Sequence, residues 1–240
     1  MTRAAFFDAV RPIFGGSLTQ PQVQGIEILL TATEGLPIGH RAYLLATAKH
    51  ETANTMQPVR EALAKTDAGA AAALEKAWKA GKLKWVKTPY WRFDADGKAW
   101  FGRGYVQLTW DYNYEKADKE LGLRGALLHN FDLAMSPKIA VQILFTGMEE
   151  GWFTGKSLST YTDYLPMRRI INGTDKASLI AGYAVAFEKA LREAGYGLWP
   201  VPKPTVPDIV QEVPPLPKPE VKQHWLAALI AAIVAFFKKG

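Results

Sequence analysis

The chain has no cysteine in its 240 residues. Disulfides, thiolate zinc sites and thiol nucleophiles are therefore excluded, and with them a small stapled domain. Histidine is scarce as well, with four residues scattered at 40, 50, 129 and 224, so neither a metal nor another cofactor is expected. The first residues, MTRAAFFDAVRPIFGG, lack a long apolar run ending in small residues and do not read as a secretory signal peptide. A long hydrophobic run occurs only at 225–237, thirteen apolar residues followed by Lys238 and Lys239. As a helix this run spans about 20 Å against roughly 30 Å of bilayer hydrocarbon.

What is present divides the chain. Hydrophobic residues make up 48% and charged residues 22%, enough for a buried core. Eight of the fifteen prolines fall between Pro200 and Pro219, which sets a boundary. The expected organisation is a domain at 1–199, a Pro-rich spacer at 200–220 that reaches about 60 Å in polyproline form, and a hydrophobic helix at 221–240. The tail is apolar all round, which favours lipid insertion or docking in an apolar groove over lying at an interface. Membrane lipid is thus an expected partner of 225–237, and membrane association an expected location. The net charge of +6 is mild; it favours anionic surfaces without selecting one.

Within 1–199 the apolar spacing predicts a mainly α domain. Helices are expected at 3–14, from Thr19 as N-cap to about 34, at 41–52, over the alanine-rich stretch 61–80, at 111–121, at 136–150 with Pro137 in first position, and at 176–194. Residues 82–100, rich in aromatics, Lys, Gly and Pro, suggest an irregular or short-strand excursion.

One arrangement calls for chemistry. Glu51 ends an otherwise apolar helix, and Glu61 follows ten residues on, past a Pro-containing segment. A chain reversal between them can place two carboxyl groups across a groove. Inverting glycosidases hold such a pair about 6.5 to 9.5 Å apart, one protonating the leaving oxygen while the other activates water. Desolvation of Glu51 would help it keep a proton, while a wetter Glu61 stays ionised. A purely structural alternative stands beside this: Glu61 as a charge at the N-terminus of the alanine-rich helix and Glu51 as a solvent contact.

The segments HETANTMQPVRE at 50–61, FGRGYVQLTWDYNY at 101–114 and RRIINGTD at 168–175 together resemble the family 19 glycoside hydrolases, with their chitinase and lysozyme-like fold, and within them the phage endolysin branch. The resemblance implies Glu51 as general acid, Glu61 as general base and Thr109 as the hydroxyl that orients the attacking water. It places Gln107, Asn113 and Asn172 on the sugar-binding cleft. Tyr105, Trp110 and Tyr112 offer faces to pyranose rings, with at least one expected in the core. Arg103, between two glycines, reads as a positioned cation counted among the substrate-binding residues, one that orients a carboxylate or forms a structural ion pair. Departures are the missing disulfides and the short Glu51–Glu61 spacing.

On this basis the expected function is hydrolysis of peptidoglycan β-1,4 bonds by an endolysin made in a host cytoplasm and released to the cell wall or periplasm. The alternatives are a chitinase acting on N-acetylglucosamine polymers, a wall-binding module without turnover, and a membrane-disrupting protein. DADG at 94–97 lacks the spacing and terminal glutamate of a calcium loop. The lysines and tryptophans at 82–91 fall in no nucleic-acid motif, so nucleic acid is not an expected partner.

Overall fold

The structure, a computed structural model, describes residues 1–197. It is mainly α, with nine α-helices and one two-stranded ladder among the described residues. The central helix is α3 (Ile38–Glu51), which buries nine consecutive residues from Arg41 to Lys49. A helix buried on every side needs neighbours all round. α9 (Ala177–Glu193) runs along it, with α1 (Arg3–Val10) and the short α8 (Tyr164–Met167) packed on α9 in turn. α2 (Gln20–Ala32) lies against α7 (Pro137–Glu149), and α5 (Asp111–Glu120) against the single turn α6 (Ala126–His129).

Local signals explain the boundaries. Thr19 and Gln22 form a reciprocal capping box at the start of α2, and Pro137 opens α7 where no amide donor is needed. The expected 61–80 helix is shorter in fact: α4 runs Asp67–Lys79. Its true N-cap is Thr66, whose hydroxyl accepts from the Gly69 amide at 3.1 Å. Upstream, Ala62 and Leu63 hold φ of 58° and 54°, which stops helix propagation from Glu61.

The strands also lie elsewhere than 82–100. β1 (Val59–Arg60) pairs antiparallel with β2 (Arg103–Gly104), Val59 opposite Gly104 and Arg60 opposite Arg103. The 82–100 segment folds instead as turns over a small apolar cluster of Ala70, Leu74, Trp91, Ala99 and Phe101, separate from the main core. α4 and this segment make a lobe fastened at the β1–β2 ladder.

The expected spacer at 200–220 and tail at 221–240, with its lipid contact at 225–237, lie outside the described residues. Among the described residues no helix is long and apolar enough to cross a membrane. The membrane association and lipid partner expected from sequence rest on that tail and find no support among the described residues.

Candidate active site

The backbone itself marks the site. Seven of the nine non-glycine residues with positive φ among the described residues are Ala53, Asn54, Met56, Ala62, Leu63, Gln107 and Trp110. They follow Glu51, follow Glu61, and flank Thr109, so the strain concentrates on the turns that carry the three candidate catalytic residues. Such conformations cost about 1–3 kcal/mol each and persist where the surroundings impose them. At Asn54 the surroundings include Lys49, a buried ammonium that donates to Asn54 Oδ1 and sits over the rings of Phe14 and Tyr183 at 4.5 and 4.4 Å. Burial holds this amine below its ordinary pKa.

Glu61 lies at the end of β1. Its amide donates to the Gly102 carbonyl at 2.7 Å. In return the Gly102 amide donates to Oε2 at 2.8 Å, and the Tyr90 hydroxyl donates to Oε1 at 2.8 Å. Both carboxylate oxygens therefore accept. Burial first, then the neighbouring Glu61 charge, push the Tyr90 phenol well above its usual value, so it remains a donor. Gly102 lets the chain pass close to its neighbours: a Cβ there would lie 2.9 Å from Gln107 Oε1 and 3.2 Å from Thr109 Oγ1. This close approach brings Glu61, Gln107 and Thr109 together.

Glu51, at the C-terminal end of α3, is held differently. Arg168 Nη1 donates to Glu51 Oε1 at 2.5 Å, with the two side chains 5% and 16% exposed. The surroundings of Glu51 are thus not the purely apolar ones its helix predicts; a cation from 117 residues away faces it. Arg168 Nε donates to the Asp175 carbonyl at 3.0 Å, and the Asn172 amide to the Arg168 carbonyl at 3.0 Å, which fixes the 168–175 loop to Glu51. Beside the pair, burial lowers the His50 pKa below its ordinary value; Glu51 opposes that effect and Arg168 reinforces it.

A groove of about 610 Å³ is lined by residues bonded to these parts. Residues 85–113 contribute Trp85, Tyr90, Gln107, Thr109, Trp110 and Asn113, while Phe153, Ile171 and Asn172 come from later in the chain. Neither glutamate lines this cavity directly. Glu61 is bonded to Tyr90 in its lining, and Glu51 is tied through Arg168 to the loop that supplies Asn172. The lining is uncharged except at Lys87, which suits a neutral, hydroxyl- and amide-bearing ligand.

The structure brings Gln107, Thr109, Asn113 and Asn172 to this groove. Thr109 Oγ1 donates to the Gln107 carbonyl at 2.8 Å, leaving its lone pairs available, and Asn113 Nδ2 donates to the Thr109 carbonyl at 2.8 Å. Gln107 Nε2 donates to the Val59 carbonyl at 2.9 Å, so this amide braces β1 with its nitrogen. Of the aromatic candidates, Trp110 lines the groove, Tyr112 is exposed on α5 and Tyr105 is fully buried, its hydroxyl donating to the Met56 carbonyl at 3.3 Å.

Tyr105 and Arg103 are therefore corrected as sugar contacts, because neither has surface to offer. Arg103 is wholly buried, donates to Asp67 Oδ2 at 2.6 Å and to Tyr114 Oη at 2.9 Å, and stacks on Phe101 at 3.8 Å. Its carboxylate partner is Asp67 at the start of α4, in a structural ion pair. Sequence reasoning missed Tyr90 and Arg168. Arg168 lies in the RRIINGTD motif, yet spacing alone gives no sign of which acid it meets. Among the described residues no cluster of His, Cys, Asp and Glu is arranged to hold a metal.

No protein-family model matches the chain. An Arabidopsis thaliana endochitinase is 43% identical over 63 residues, 26% of this chain and 20% of that protein. Endochitinase 1 of Theobroma cacao is 46% identical over 52 residues, 21% and 16% of the two chains, and an inactive chitinase-like protein of Hevea brasiliensis is 44% identical over 45 residues, 19% and 14%. The matched stretches thus span about a fifth or less of these relatives. Chitinase C of Streptomyces griseus aligns over 81% of this chain and 76% of its own, at 20% identity and a TM-score of 0.49.

These matches correct two expectations. The curated relatives are chitinases and chitinase-like proteins, which overturns peptidoglycan as the expected substrate and partner and lysis of a host as the expected role. The expected route from host cytoplasm to periplasm rested on that role, and these matches do not bear on it. What stands is a mainly α fold of the chitinase and lysozyme-like type with a two-stranded excursion.

Proposed function

We propose that the protein is a glycoside hydrolase of chitinase type, cleaving β-1,4 bonds of N-acetylglucosamine polymers by single displacement, with residues 1–199 as the catalytic unit. The observation that carries this is the groove, uncharged except at Lys87, with two carboxyl groups tied to its lining, Glu61 through Tyr90 and Glu51 through Arg168 and the Asn172 loop. The endochitinase matches agree in substrate class.

In this reading Glu61 is the base. Its two oxygens already accept from Tyr90 and Gly102, an acceptor-only pattern that fits an ionised carboxylate. Thr109, near Gly102, holds the attacking water in line. Glu51 delivers the proton to the leaving oxygen, and Arg168 keeps its side chain pointed at the cleft. Asn113, Gln107 and Asn172 meet sugar hydroxyls and N-acetyl groups, and Trp110 and Tyr90 meet ring faces. Water entering opposite the leaving group inverts the anomeric centre, so the first product is the α-anomer.

The inactive Hevea relative favours one second reading, a chitin-binding protein without turnover. Digestion of colloidal chitin and N-acetylglucosamine hexamer by the full chain, Glu51→Gln and Glu61→Gln decides between them. New reducing ends and an initial α-anomer are expected from the native protein, and a loss of more than about a hundredfold from each variant. Retained binding with no new ends from the native chain supports the second reading. Full activity in Glu61→Gln overturns its assignment as base.

A further inference from the structure

The lobe beside the groove carries far more positive charge than the cleft, whose lining has Lys87 as its one charged residue. Residues 76–92 contain Lys76, Lys79, Lys82, Lys84, Lys87 and Arg92 and not one acid, and all six are exposed. Glu75 engages Arg92 at 3.0 Å and Lys79 at 3.6 Å. No carboxylate among the described residues pairs with Lys76, Lys82, Lys84 or Lys87. Like charges this dense repel one another and favour an anionic partner.

Set among these lysines is Trp85, 75% exposed, the most open of the large hydrophobic side chains among the described residues. Its neighbour in sequence pattern, Trp91, is fully buried, donates to Glu75 Oε2 at 2.9 Å and packs edge-on against Trp78. Trp91 is therefore the foundation and Trp85 the open ring. The platform is anchored, since the Trp78 indole donates to the Val86 carbonyl at 3.3 Å and the Val86 amide to the Leu83 carbonyl at 3.0 Å. It is also continuous with the groove, which Trp85, Val86, Lys87 and Thr88 line.

We infer that this strip is an accessory docking surface for an acidic polysaccharide, with Trp85 stacking on a sugar ring while Lys82, Lys84 and Lys87 meet carboxylate groups along the chain. The choice of a glycan over another polyanion rests on the reading of the adjoining groove as a sugar cleft. The surface holds the protein on an acidic polymer interleaved with its neutral substrate, and the binding is sensitive to salt because surface charges carry it.

Polygalacturonate is a suitable probe: it carries a carboxylate on each sugar and no N-acetylglucosamine bond, so its binding is read separately from hydrolysis. Calorimetric titration of the full chain at low and moderate salt is expected to show binding that weakens with salt. Lys82→Gln/Lys84→Gln/Lys87→Gln should bind about tenfold more weakly and with a shallower salt dependence. Trp85→Ala should lose about threefold to tenfold at either salt concentration, and Trp85→Tyr, which keeps a ring, should recover most of that loss. Absence of binding at low salt overturns the inference, as does binding indifferent to all three variants. Tighter binding of single-stranded DNA of equal charge through the same residues overturns it in favour of nucleic acid.

Discussion

Glu61 is held by two donors of different kinds, and they are separable by mutation. The Gly102 amide belongs to the backbone, whereas the Tyr90 hydroxyl can be removed alone by Tyr90→Phe. The ring contacts to Trp91 and Trp110, at 5.1 and 4.9 Å between centroids, remain. Because the lost hydrogen bond is to a carboxylate, kcat on soluble oligomers should fall about tenfold to a hundredfold with little change in thermal midpoint. An unchanged kcat would mean that Tyr90 contributes only packing. Arg168→Met tests the other carboxyl group. It leaves Glu51 beside an apolar chain, so both activity and stability should drop, the latter by about 3 kcal/mol in urea titrations. His50 gives the pair a pH signature. Its folded pKa is lowered by burial, so between that value and its ordinary value near 6.5 the unfolded chain binds the extra proton. Stability from this residue is complete above about pH 6.5 and is lost as pH falls through the window below. The slope of urea midpoint against pH over that window should shrink in His50→Gln; an unaltered slope would place the effect elsewhere.

Elements are where the sequence was most and least legible. Helices whose start carries a local signal, such as α2 with Thr19 and α7 with Pro137, begin within a residue of their expected starts. The alanine-rich 61–80 stretch misleads because propensity gives no warning of Ala62 and Leu63 in the left-handed region, and these conformations are imposed by tertiary contacts. The two-residue strands are too short for any alternating pattern. They exist because Arg60 and Arg103, opposite each other, both reach Asp67, at 2.7 and 2.6 Å. Burial raises the Asp67 pKa, but hydrogen bonds from Arg60 and Arg103 outweigh it, so the carboxyl group titrates below its ordinary value. Of the site residues, those within the motifs were legible by type. Tyr90 was not, because its ring reaches Glu61 only after the 82–100 turns have closed. A contact between elements sets the position of the Glu51 turn. Gly25 on α2 lies so close to that turn that a Cβ would fall 1.7 Å from the Met56 carbonyl oxygen. Since backbone cannot yield as a flexible side chain does, Gly25→Ala should push α2 away from 53–57. The expected result is a loss of about 2 kcal/mol or more in stability, with reduced turnover, both measured on the full chain. Native stability in this variant would show that the two segments move apart freely.

At the scale of the whole molecule the decisive feature is that the two carboxyl groups are held by different apolar clusters. Glu51 ends α3, whose core continues through α9 into a large single cluster. Glu61 sits where the lobe built on Trp91, Phe101 and Leu74 is fastened to that body, and its partner Tyr90 belongs to the lobe's smaller cluster. A small apolar cluster under mostly exposed turns has less burial to lose on opening than the main core, so local unfolding of the lobe should require less free energy than global unfolding. Hydrogen exchange should therefore show amides of 67–101 exchanging through a sub-global opening while α3 and α9 exchange only with complete unfolding. If the proposed function holds, an N-acetylglucosamine oligomer spanning the groove touches both clusters at once, through Tyr90 and Thr109 and through Asn172. It binds the closed arrangement and not the open one, so a saturating oligomer should slow exchange across 67–101 by a factor set by its concentration over its dissociation constant, leaving α9 less affected. Equal slowing everywhere would show that lobe and body open together, and no slowing in the lobe would mean that the ligand does not bridge the two carboxyl groups.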